Sequence, residues 1–240
     1  MRRRDFLGAA GLALGATAYS SGSSIAAAAT PGSSAVEAGD WVALRNLFPL
    51  TRDYIQLSTF LLASHPKPVS DEIERHRRGL DENPSDYWHE HFETIDGEVA
   101  AAAARYMGGE GSQIALTDST TMGLGLVYSG LKLQPGDEIL QTTHDHYSTD
   151  LSLAQRAERT SAQIRRISLY ENPATISKDL IVSNLREGIS DNTRVVAVTW
   201  VHSSTGVKLP LRAMADAIGE INRKRNEQDR ILFCVDGVHG

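Results

Sequence analysis

Cysteine is nearly missing: Cys234 is the only one in 240 residues. One thiol excludes an internal disulfide framework and any cysteine-rich metal site. Its place inside the apolar run "ILFCV" marks it as a small buried hydrophobe. Basic residues are outnumbered, 24 against 30 acidic, for a net charge of −6. An acidic surface with no basic stripe argues against nucleic acid as a partner. Beyond the first 35 residues there is no low-complexity block and no internal repeat. What remains, 41% apolar and 22% charged, is the composition of an ordinary globular protein with enough chain for a sizeable core.

The first thirty residues read as an address. Arg2 to Arg4 form a charged head, Phe6 to Tyr19 are mostly Leu, Ala and Gly, and small-residue cleavage sites follow near Ala27 to Ala29. The apolar part is too short and too glycine-rich for a confident membrane span. The string Arg3-Arg4-Asp5-Phe6-Leu7 resembles the twin-arginine export signature, a receptor-read signal. Residues 1–29 are therefore expected to be a twin-arginine signal, with the twin-arginine machinery as a partner and a periplasmic or other extracytoplasmic destination. An ordinary secretory signal and an uncleaved anchor helix are the alternatives. The twin-arginine route carries folded proteins, often around a cofactor, so this reading favours a cofactor without naming one.

The body divides into residues 30–67, an N-terminal segment in which "SSAVEAGDWVALRNLFPL" reads as a short helix with Trp41, Leu44, Leu47 and Phe48 on one side, followed by a short strand "YIQLS" and a loop, and residues 68–240. "PVSDEIERHRRGLDEN" and "DYWHEHFETIDGEVAAAAARYMG" read as two helices, the second ended by Gly108-Gly109. Five strands then alternate with four helices. The strands are "QIALT", "DEILQTT", "QIRRISL", "TRVVAVTWV" and "RILFCV". That rhythm predicts an α/β fold, a three-layer, mainly parallel sheet with crossover helices. The continuous apolar runs of the last two strands suit burial on both faces.

In such sheets ligands bind beyond the carboxyl ends of the strands. After "QIALT", Ser119, Thr120 and Thr121 open a helix, and hydroxyls with free backbone N–H groups there suit a phosphate; simple capping by Asp118, Ser119 or Thr120 is the alternative. After "DEILQTT" come His144, Asp145, His146 and Tyr147, which suit a metal pair, an imidazole lying flat on an aromatic ligand, or a solvated loop. His202-Ser203-Ser204-Thr205-Gly206 is a polar turn. Asp236 leaves a buried strand and needs a partner, either a cationic ring nitrogen or a structural Arg, with His239 three residues on. One ligand satisfies all four positions: a phosphorylated aromatic ring with a protonated nitrogen, pyridoxal 5′-phosphate. A hydrolase or metal site built on His144, His146, His202 and His239 competes with this, and no cysteine supports it.

The segments "TDSTTMGLGLVYSGLKLQPGDEIL", "THDHYS", "VTWVHSSTGVKLPL" and "VDGVHG" resemble, in that order, the class V aminotransferase family, which includes cysteine desulfurases and isopenicillin-N epimerase-like proteins. The resemblance runs from about Tyr54 to Gly240 and leans toward the epimerase-like members. It implies the aspartate-aminotransferase type of fold, usually a homodimer, and chemistry on an amino acid through an external aldimine. It also implies that Thr120 and Thr121, with Ser119 beside them, hold the cofactor phosphate. His146 would stack on the ring, Asp236 bind the ring nitrogen and His239 lie near the ring oxygen. Ser203 stands where many members have an Asn to the ring hydroxyl. The loop Ser58 to His65 would line the substrate entrance.

The family's Schiff-base lysine follows the Asp-x-x-Gln/His motif. None of Lys67, Lys132, Lys178, Lys208 and Lys224 has that position. The resemblance places the lysine, the remaining strands and a small C-terminal domain after Gly240, so the fold is expected to be incomplete here and the catalytic residue unassigned. The expected activity is that of a parent aminotransferase or epimerase. A non-catalytic cofactor-binding or dimerisation module is the alternative. A desulfurase needs a mobile nucleophilic cysteine, which Cys234 on a buried strand does not suit.

Overall fold

The structure, a computed structural model, describes residues 39–57 and 62–240. The expected export signal and the first half of the expected entrance loop, residues 58–61, lie outside the described residues. No helix among the described residues is long and apolar enough to cross a membrane. The described chain falls into two compact units, residues 39–57 with 63–77, and residue 62 with 78–240.

The first unit holds helix α1 (Trp41–Asn46), whose N-cap Asp40 accepts from the Ala43 N–H at 2.9 Å. Trp41 is 75% exposed, so the apolar side read from the sequence is not buried. Tyr54, Ile55 and Leu57 are exposed and outside any strand, because no neighbouring strand pairs with them among the described residues. Helix α2 (Lys67–Glu82) begins here, with Lys67 paired to Asp71 at 2.8 Å.

In the second unit the expected single helix over 86–108 is two helices, α3 (Pro84–His91) and α4 (Ile95–Met107). The break is at Thr94, whose N–H turns tightly onto the His91 carbonyl while its own carbonyl accepts from Glu98 and restarts the ladder. Gly108, at φ +78°, ends α4 in a left-handed conformation that suits glycine. "QIALT" is not a strand. Gln113 is held in a 3-10 turn (Gly111–Gln113) by a reciprocal bond to Glu110, and Leu116 beyond it is half exposed. A strand needs a partner ladder, and Ile114–Thr117 has none among the described residues.

Helix α5 (Thr120–Gly130) leads into the sheet, which has four strands: β1 (Glu138–Thr142), β2 (Gln163–Ile167), β3 (Thr193–Thr199) and β4 (Leu232–Asp236). Helices α6 (Tyr147–Thr160), α7 (Lys178–Gly188) and α8 (Leu211–Asn222) are the crossovers. All pairings are parallel and the order is β2-β1-β3-β4. Strand alternation sorts the core into two layers. Ile139, Val195, Ala197 and Cys234 meet α5 and α6 through Tyr128, Leu153 and Ala157. Leu140, Val196, Val198 and Phe233 meet α7 and α8 through Ile181, Leu185, Met214 and Ile218. Helices therefore cover both faces, which is why β3 is apolar at successive positions.

From β1 the chain moves outward to β2, returns across β1 to β3, and continues the other way to β4. The order reverses between β1 and β3, and the crossover helix changes face with it, from α6 to α7 and α8. In doubly wound sheets this switch point, at the carboxyl ends, is where a crevice opens for ligands.

Packing at the sheet is tight enough to test. A Cβ on Gly188 would lie 2.5 Å from Ile167 Cδ1 and 3.5 Å from Leu140 Cδ2. Gly188→Ala is expected to lower stability by about 1 kcal/mol, as overpacking outweighs the helix-propensity gain. A denaturant midpoint that rises would show that Ile167 rotates away at no cost.

Candidate functional site

Asp236 is the last residue of β4 and is 2% exposed. Alternation from Cys234 places it on the α5/α6 face. Its Oδ1 accepts from the Val238 N–H at 3.2 Å, and no Lys or Arg pairs with it among the described residues. The structural arginine weighed from the sequence is therefore absent, and a buried carboxylate is left with one neutral donor. Burying a charge so weakly compensated is costly unless a cation arrives. His239 lies three residues further on, in a turn where the Gly240 N–H closes onto the Gly237 carbonyl at 2.9 Å.

Helix α5 begins beyond the same edge. Ser119 is its N-cap, with Oγ accepting from Met122 N–H at 3.2 Å, and its carbonyl accepts from Gly123 N–H. Ser119 is thus occupied by capping. The N–H groups of Thr120 and Thr121, in the first turn, have no intrahelical partner, and both side chains are exposed. Two open amides, two hydroxyls and the positive end of a helix have the chemistry that suits an anion.

His146 is the N-cap of α6. Its Nδ1 faces Ser148 Oγ at 2.7 Å and accepts from the Ser148 N–H at 3.4 Å, which fixes the ring, and its own N–H donates to Thr199 Oγ1 at 3.1 Å. Thr199 ends β3 and sits in register with Asp236. The N-terminus of α6, the end of β3 and the end of β4 are in this way linked side by side. Ser203 is exposed in the turn after β3, which the Gly206 N–H closes onto the His202 carbonyl at 2.7 Å.

Two arrangements escaped the sequence. Asp145 accepts from Thr142 N–H at 2.6 Å and from Thr199 N–H at 2.7 Å. Burial pushes its carboxyl up to about 6, against the two amides, which favour the charged form. The second is a ring cluster. His144 lies flat on Tyr170 at 4.5 Å between centroids and on His202 at 5.2 Å, and the Tyr170 hydroxyl meets His202 Nδ1 at 2.6 Å and Thr205 Oγ1 at 2.8 Å. His202 is fully buried, and burial together with the nearby His144 lowers its imidazole to about 4, so it is neutral at pH 7. No group of three or more His, Cys, Asp or Glu gathers in a metal-holding arrangement among the described residues.

A cleft of roughly 340 Å³ lies at the opposite, amino end of the sheet, lined by Arg186, Ser190, Asp191, Glu220, Lys224 and Arg225. Its arginines are already engaged: Arg225 donates to the carbonyls of Thr193 and Ser190, and Arg186 pairs with Glu220. The candidate residues chosen from the sequence lie away from this cleft.

Residues 63–240 match the family model described as Aminotransferase class-V. The chain belongs to the class V aminotransferase family. Within it, the chain is 26% identical over 71% of its length to a cysteine desulfurase of Haloferax volcanii, covering 41% of that protein. It is 25% identical over 83% of its length to the isopenicillin N epimerase of Streptomyces clavuligerus, covering 48% of it. The chain thus spans less than half the length of these curated relatives. Among solved structures, a variant of C-DES with glycine covalently linked to its PLP cofactor matches at a TM-score of 0.69 and 22% identity, over 81% of this chain and 49% of that one. The class V chain shares the α/β fold of that pyridoxal-phosphate protein.

Proposed function

We propose that the parent protein is a pyridoxal 5′-phosphate-dependent aminotransferase or epimerase acting on an amino acid, with its Schiff-base lysine beyond Gly240. The observation that carries this reading is Asp236, a buried carboxylate with no cationic partner, at the switch-point edge and on the face of the sheet that α5 and α6 cover. The residues present fit the cofactor. The amides and hydroxyls of Thr120 and Thr121 would hold its phosphate, with Ser119 capping the helix that presents them. Asp236 holds the proton on the ring nitrogen. His146, its ring fixed by Ser148, flanks the ring face, and Ser203 and His239 serve the ring oxygen. When bound, pyridoxal phosphate supplies an electron sink for negative charge at the substrate α-carbon. The chain's own part is to orient the ring, keep its nitrogen protonated and exclude water from the Asp236 side.

Cys234 itself is not suited to be the nucleophile of a desulfuration. It sits on β4 among core residues, and burial pushes its thiol up, away from the thiolate that a sulfur nucleophile requires. The parent protein is further proposed to act as a homodimer after twin-arginine export, as the charged head and small-residue cleavage sites of residues 1–29 suggest.

The test is borohydride reduction of the full-length protein after incubation with pyridoxal 5′-phosphate, followed by peptide mass mapping. A reduced pyridoxyl-lysine C-terminal to Gly240 is the expected result. A protein that retains no cofactor would sink the proposal. Chiral chromatography of amino acids, with and without a 2-oxo acid acceptor, then separates epimerisation from transamination.

A further inference from the structure

We infer that Asp145 is a positioning residue: a buried carboxylate that clasps the carboxyl ends of β1 and β3 and so sets where His146 and Asp236 stand relative to each other. The inference rests on the proposed roles of those two residues in cofactor binding. The β1–β3 ladder is paired through Leu140↔Val196. Beyond that point no further β1–β3 pairs form, and the Thr142 and Thr199 amides have no ladder partner. Asp145 supplies acceptors for both. Oδ2 takes the Thr142 N–H at 2.6 Å, and Oδ1 takes the Thr199 N–H at 2.7 Å.

The first of these bonds is local and would serve any turn. The second spans 54 residues and has no local explanation. Thr199 is then held on three sides. Its N–H goes to Asp145, its Oγ1 accepts from His146 N–H at 3.1 Å, and it pairs in register with Asp236, whose carbonyl accepts from Trp200 N–H at 2.8 Å. A shift of Thr199 would therefore move the backbones of His146 and Asp236 together. Only a carboxylate does this without conflict, because each of its oxygens accepts. The amide of an Asn would turn its NH₂ toward one of the two N–H groups.

The experiment is residue-resolved amide hydrogen exchange on the full-length protein without cofactor, comparing wild type with D145N and T199V, both close to the native volume. D145N is expected to speed exchange at Thr142 and Thr199 by about tenfold or more, the loss of a charge-assisted bond, and to carry the effect to Trp200. T199V is expected to speed His146 alone. In cofactor titrations D145N is expected to bind pyridoxal 5′-phosphate about tenfold more weakly, reflecting misplaced partners. Faster exchange at Thr142 and Thr199 with Trp200 unchanged would reduce Asp145 to a turn residue and overturn the inference. Exchange unchanged at all three would overturn it too. Should wild type bind no cofactor, the proposed function fails, while the exchange pattern still decides the clasp.

Discussion

Asp236→Ala in the full-length protein is expected to weaken pyridoxal 5′-phosphate binding about 100- to 5,000-fold, with Asp236→Asn losing most of the same. The reasoning is electrostatic. The carboxylate is 2% exposed, accepts one backbone N–H at 3.2 Å and has no cation beside it. A protonated ring nitrogen brought to it forms a desolvated pair. Removing one member of such a pair typically costs about 3–5 kcal/mol, because the other is left buried and uncompensated. That energy converts to roughly the fold-change stated. The same substitution acts in the opposite direction without cofactor. Asp236→Asn removes an uncompensated buried charge and is expected to raise the apo protein's stability by about 1 kcal/mol. Equilibrium titration of cofactor and denaturant melts of the apo protein are the two measurements. A variant that loses stability while binding the cofactor normally would make Asp236 a structural residue.

That opposition of signs follows from a feature the sequence carried openly. "ILFCVDG" announces a strand by its apolar run and a polar group at the strand's end. Burial on both faces makes such a run continuous in β3, which was legible without knowing its neighbours; β4 has the same apolar look but ends the sheet order as described, only partly buried and with Leu232 53% exposed. "QIALT" has the same apolar look and failed, since nothing in five residues says whether a ladder partner lies alongside. The Glu110–Gln113 bond is a local competitor that a hydrophobic pattern does not record. The break at Thr94 is of the same kind: composition on both sides favours helix, and the backbone turns there through a bond to His91.

Site positions divide along a similar line. Thr120, Thr121, His146 and Asp236 could be proposed from sequence because each follows or ends an element, and order along the chain predicts which edge of a parallel sheet they reach. Asp145 was visible in "HDHY" and had no role, because its second partner is Thr199 and only the fold brings the two together. Tyr170 and His202 are 32 residues apart on different strand ends, and their hydrogen bond exists only once β1 lies between β2 and β3. Sequence fixes what leaves a strand; it does not fix what meets across the switch point.

Those two hidden groups lead to a pH prediction in which opposite effects cancel. Asp145 is raised by burial from 3.8 to about 6. A folded pKa above the unfolded one means that the group's stabilising contribution is complete below 3.8 and is lost as pH rises through 6. His202 is lowered by burial from 6.5 to about 4. Its contribution is complete above 6.5 and is lost as pH falls through 4. Between about pH 4.5 and 6 both slopes are near one proton, with opposite sign, and each changes stability by about 2 kcal/mol across that window. Wild-type stability is therefore expected to be nearly level there. His202→Asn should leave Asp145 alone, so stability rises as pH falls from 6 to 4.5. Asp145→Asn should leave His202 alone, so stability drops over the same interval. Denaturant midpoints at intervals of half a pH unit provide the measurement. Two variants with parallel pH profiles would mean that at least one of these groups titrates as it does in the unfolded chain. The buried geometry that ties Asp145 to the strand ends, or His202 to Tyr170, would then be absent in solution.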